Sequence, residues 1–115
     1  MTRSLLLAAI LSAAAATGAT AHEKTAATTP QVGATVAEVP MLHVVFGGPM
    51  RVTFAELTRA DVPVAITRKA GMEPVTELHA TPDAALAPGA YRFEWRGLAE
   101  DGHPMQGELL FTVAE

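Results

Sequence analysis

Apolar and polar residues alternate through most of residues 41–113, and that alternation predicts strands. From Met41 to Phe46, Leu42, Val44 and Phe46 fall on one face of an extended chain and His43 on the other, until Gly47-Gly48-Pro49 breaks the pattern. Arg51 to Arg59 alternates again through Val52 and Phe54, and Val64 to Lys69 is a β-branched segment closed by Ala70-Gly71. Val75 to Ala80 is a weaker strand pattern, and Pro82 to Pro88, with its alanines, reads as a loop or a single helical turn. After the turn signal Pro88-Gly89, Tyr91, Phe93 and Trp95 alternate with Arg92, Glu94 and Arg96, which makes this the cleanest half-buried strand of the chain. Gly107 to Val113 closes the series with Leu109, Phe111 and Val113 on one face. Upstream, Pro30-Gln31-Val32-Gly33 predicts a turn feeding an edge strand, whereas His22 to Thr29 is polar and unpatterned.

Short strands at regular spacing, frequent Gly and Pro, and no long helical period predict an all-β sandwich whose loops gather at its two ends. The N-terminus has a different character. Met1-Thr2-Arg3 is followed by an unbroken run of Leu, Ala, Ile and Ser from Leu5 to Ala16, too short to span a bilayer comfortably, and then by Ala19-Thr20-Ala21 at signal-peptidase spacing. Residues 1–21 are therefore expected to be a cleaved signal peptide, and residues 22–115 one small domain of the exported product. Removing Arg3 moves the formal net charge from −4 to about −5, which disfavours nucleic acid as a partner. No later segment suits membrane insertion, and with no cysteine in the chain, thiolate chemistry and disulfides are both excluded.

Candidate chemistry concentrates in Glu100-Asp101-Gly102-His103-Pro104. A carboxylate and an imidazole two residues apart share a direction on an extended backbone, so Asp101 and His103 are candidate metal ligands at one end of the sandwich. They are an incomplete set, since copper and zinc take three or four donors. Asp101 before Gly102 would also suit a turn, a role His103 does not share. His43, opposite Leu42 and Val44, reads as a surface or hydrogen-bonded histidine, and His79 has no partner at ligand spacing. The aromatic residues and the methionines read as packing residues.

In order, His22, Thr29-Pro30, the strand Leu42 to Phe46, the run Pro88 to Arg96, the stretch Asp101 to Pro104 and Gly107 to Val113 resemble the CopC family of periplasmic copper-binding, copper-resistance proteins. The resemblance implies a Greek-key β-sandwich or barrel of immunoglobulin-like, cupredoxin-like topology. It implies Cu(II) as the cofactor, a role in copper homeostasis or resistance, and partnership with an inner-membrane copper transporter of the CopD type. The family's Cu(II) ligands carry over to His22, Asp101 and His103. If processing leaves His22 first, its α-amine and imidazole can chelate one ion as a histidine brace, and His103 and Asp101 complete the tetragonal N,O set that Cu(II) favours. Two departures from the family pattern stand out. Gly47-Gly48 replaces an acidic residue after the first strand, and Gly71-Met72-Glu73 is all that remains of a methionine-rich, Cu(I)-binding loop, so a second, thioether site is expected to be absent.

Two other functions fit parts of this pattern. Lytic polysaccharide monooxygenases also place a histidine brace on a sandwich, but a domain this small, with one Trp and one Tyr, offers little aromatic surface for a polysaccharide. Asp101 would also fill a position that oxygen activation needs open. The second alternative is a structural sandwich with no metal. The reading preferred is a copper carrier, buffer or chaperone rather than an enzyme.

Overall fold

The computed structural model describes residues 25–115, so His22 and the signal-peptide segment lie outside the described residues. Eight strands follow one another with no helix among the described residues: β1 (Thr25–Thr29), β2 (Thr35–Val36), β3 (Leu42–Arg59), β4 (Val62–Val64), β5 (Ile66–Arg68), β6 (Val75–Pro82), β7 (Gly89–Ala99) and β8 (Pro104–Val113). The architecture is all-β, a sheet curled on itself, as the alternation predicts.

The long strand β3 organises it. Its first part, Leu42 to Phe46, pairs antiparallel with β1 and with β6, which in turn carries β5. From Met50 to Arg59 it pairs with β7, and β7 carries β8 and the parallel edge strand β2. β3 therefore leaves one layer and enters the other. The break expected at Gly47-Gly48-Pro49 is instead this crossing: the strand runs through, but the register with β6 slips between Val45 and Met50. Proline is tolerated here because the crossing asks no ladder hydrogen bond of it.

Alternation puts Leu42, Val44, Phe46, Val52, Leu57, Leu78, Phe93, Trp95, Leu109 and Phe111 in one buried cluster. Phe46 from the first half of β3 meets Trp95 of β7 edge to face, with ring centroids 4.9 Å apart and planes at 68°, so the two layers lock where β3 crosses. Opposite Trp95 on β8 lies Gly107, where any Cβ would collide with the indole. At the far end Tyr91 stacks on Phe111 and its hydroxyl donates to the Ala87 carbonyl oxygen at 2.5 Å, tying the 83–88 loop to the sheet. The weak pattern at Val75 to Ala80 proves to be a full strand, since pairing with β3 on one side and β5 on the other outweighs its modest local propensity.

Candidate metal centre

Asp101 and His103 sit on the hairpin that joins β7 to β8. Strand pairing runs up to Leu98 opposite Pro104, and the Ala99 amide donates to the His103 carbonyl oxygen at 2.9 Å. The Gly102 amide then turns back to the Ala99 carbonyl oxygen, also at 2.9 Å, and Gly102 adopts φ +86°, a left-handed conformation that glycine takes without a Cβ penalty. The backbone here is a tight turn and not the extended chain from which the sequence argument began. The two side chains meet for another reason. The Asp101 carboxylate folds over the turn, accepting the His103 amide at 3.1 Å on one oxygen and contacting the His103 ring Nδ1 at 2.6 Å with the other.

Those bonds hold the Asp101 carboxyl below its ordinary value, the backbone amide being the larger cause and the ring the next. The ionised Asp101 carboxylate is an acceptor only, so in a neutral ring beside it Nδ1 carries the proton and Nε2 the lone pair. Both side chains are well exposed, 64% for Asp101 and 76% for His103, so an ion can reach them. A testable consequence follows for the metal-free protein. A depressed folded pKa contributes stability that is present above the unfolded carboxylate value of about 3.9 and is lost as pH falls through the folded value. The Asp101 carboxyl carbon, followed by NMR, should titrate with a midpoint below about 3.9; a midpoint at or above it would mean that the turn bonds do not form in solution.

An open cavity beside the hairpin is lined by Gly47, Gly48, Pro49, Met50, Ala99, Glu100, Asp101 and Met105. The β3 crossing and the β7–β8 turn thus share one end of the fold. Glu100 brings a second carboxylate to the cavity wall where Gly47 and Gly48 bring no side chain. Met50 and Met105 bring thioethers, whereas Met72, half exposed, is not among the lining residues. Strand β1 approaches the same end, because its antiparallel register carries Thr29 opposite His43 and Thr25 opposite Phe46, one residue before Gly47.

A second group corrects the reading of His79 as a residue without a partner at ligand spacing. His79 lies directly across from His43 in the β3–β6 ladder, and with Glu77 these residues bring three donor atoms within 4.8 Å of one another. The spacing that singled out Asp101-x-His103 also occurs at Glu77-x-His79, and on a true strand it does place both side chains on one face.

The model of one family, the CopC domain, matches residues 25–114. Copper resistance protein C of Xanthomonas campestris pv. juglandis is 31% identical over 108 residues, covering 86% of this chain and 85% of that protein. Copper resistance protein C of Escherichia coli is 30% identical, covering 83% of each. Among solved structures, PcoC, a methionine-rich copper resistance protein from Escherichia coli, superposes with a TM-score of 0.66 at 28% identity, over 78% of this chain and 96% of that one. CopC from Methylosinus trichosporium OB3b gives a TM-score of 0.68 at 24% identity, over 81% and 94%, a likeness of fold.

Proposed function

Because this chain belongs to the CopC domain family, we propose that it is a periplasmic copper-binding protein of copper resistance, which holds Cu(II) through His22, Asp101 and His103 and passes it on without turnover. The observation that carries the site is the Asp101–His103 pair itself. The carboxylate fixes the ring so that Nε2 is the nitrogen offered to a metal, the arrangement in which metal-binding histidines are usually held. To ligate the same ion, Asp101 gives up its contact with ring Nδ1, on the far side of the imidazole from Nε2, and swings round from its exposed place in the turn. His22 is proposed as the source of the other two nitrogens once the signal peptide is removed after Ala21. Support comes from β1: His22 lies three positions before Thr25, an extended reach of roughly 10 Å, and Thr25 pairs at the edge of the cavity end.

Three nitrogens and one oxygen suit Cu(II), which also stands at the top of the divalent affinity order. A carrier role is supported by where the aromatic rings lie. Phe46, Tyr91, Phe93, Trp95 and Phe111 are buried in the core, and Phe54 is covered by the Arg96 guanidinium at 4.8 Å, so the rings are not arrayed to grip a polysaccharide. Handover to a CopD-type membrane transporter fits an ion held at an exposed loop. PcoC is described as methionine rich, whereas this chain has five methionines in all, so Cu(I) storage on thioethers is not proposed here.

Competition titration of the processed protein against a chromogenic chelator tests this. One tight Cu(II) equivalent is expected in the wild type, weakened by more than about 100-fold in His103→Ala, since loss of a direct donor should exceed the 10–100-fold typical of partners outside the coordination sphere. Equal affinities would remove the hairpin from the site.

A further inference from the structure

On the outer face of the first layer, far along β3 from the hairpin, His43, Glu77 and His79 form a constellation that the copper site above does not use. In the β3–β6 ladder Leu42 pairs with Ala80 and Val44 with Leu78, all four buried in the core. Alternation therefore turns the intervening His43, Glu77 and His79 outward together. His43 and His79 are direct cross-strand partners, and Glu77 occupies the diagonal position beside them.

The three side chains converge on one spot. One Glu77 oxygen lies 3.4 Å from His43 Nε2, and the other lies 3.4 Å from His79 Nε2. Such distances are too long for good hydrogen bonds, and His43 Nε2 is buried with no hydrogen-bond partner. A buried, unsatisfied ring nitrogen is a standing cost that a metal bond would remove. The imidazoles stack with centroids 4.4 Å apart and planes at 18°, and both Nε2 atoms face the Glu77 carboxylate. Glu77 is 46% exposed and the histidines about half that, so an ion can enter from solvent.

We propose that His43, Glu77 and His79 form a second metal site, which takes a divalent transition ion of the zinc or copper(II) class through two imidazole Nε2 atoms and one carboxylate oxygen. Two neutral imidazoles select against Mg(II) and Ca(II), which prefer oxygen donors throughout. Three protein donors leave at least one position open, the pattern of a site that exchanges its ion or a ligand rather than burying it. Donors now within 4.8 Å need to close by about 1 Å to sit at the usual 2.0–2.1 Å from a common ion, a movement the exposed Glu77 can make. Six residues of β3 lie between His43 and Met50 at the hairpin cavity, and the two sites share no donor.

The test uses a protein that carries both His103→Ala and one added residue before His22, so that neither half of the first site is intact and the outcome is independent of the copper reading. Zn(II) and Cu(II) are titrated in separate calorimetric arms at neutral pH. One equivalent of either ion is expected, at least tenfold weaker in Glu77→Gln and at least a hundredfold weaker in His79→Gln, with unchanged thermal midpoints for the metal-free variants. The unsubstituted protein gives a second readout: zinc should shift the His43 and His79 ring resonances together. No saturable binding of either ion, or full binding in a His43→Gln/His79→Gln double variant, would overturn the proposal.

Discussion

Adding one residue ahead of His22 is expected to weaken Cu(II) binding by well over the roughly 10–100-fold loss that follows removal of partners outside a coordination sphere. The reason lies in what a processed N-terminus offers. A free α-amine and the imidazole of the same residue close a chelate on one ion, so the second donor binds at high effective concentration. An extra residue converts that amine into an amide and moves the remaining amine away. Both donors of the chelate are affected by a change that touches no strand, since β1 begins only at Thr25. The thermal midpoint of the metal-free protein should therefore stay where it is. Isothermal titration of the two forms under a competing chelator checks this, and equal affinities would mean that the amine is not a ligand.

Trp95→Ala should cost about 3–5 kcal/mol, a large part of the roughly 5–15 kcal/mol by which domains are stable. Trp95 is only 2% exposed, and it closes the core at the place where β3 passes from one layer to the other, against Phe46 on one side and Gly107 on the other. Because Gly107 leaves room for the indole, the truncated side chain would open a cavity that the neighbouring backbone cannot fill. The β7–β8 hairpin is built two residues beyond Gly97 and would lose its support, so copper binding should fall with stability. Urea unfolding followed by circular dichroism measures the loss. A change below about 1 kcal/mol would show that the two layers do not depend on this contact.

The identity of the long strands was legible because each buries one face. In Tyr91-x-Phe93-x-Trp95 and Leu109-x-Phe111-x-Val113 all six named residues are in the core, while Leu110 between them faces out. The crossing at Gly47-Gly48-Pro49 was not legible, because those residues read locally as a breaker. Only the partners on either side, β1 and β6 before it and β7 after it, make it the middle of one strand. Asp101 and His103 were found by spacing, yet their contact rests on the Gly102 turn and not on an extended chain. His43 and His79 escaped for a related reason. A single strand shows which of its side chains share a face, but not which strand lies across, and 35 residues lie between the two histidines that the ladder sets side by side. The N-terminal half of the copper site depends on processing, which a folded domain does not display.

In the proposed site one Cu(II) ion is held jointly by a processed N-terminal histidine and by the β7–β8 hairpin. Electron paramagnetic resonance of the processed protein loaded with one equivalent of copper reads this most directly, because nitrogen donors split the copper signal. Splitting from three equatorial nitrogens is expected, one of which disappears in His103→Ala and another when a residue is added before His22. A spectrum unchanged by both alterations would contradict it.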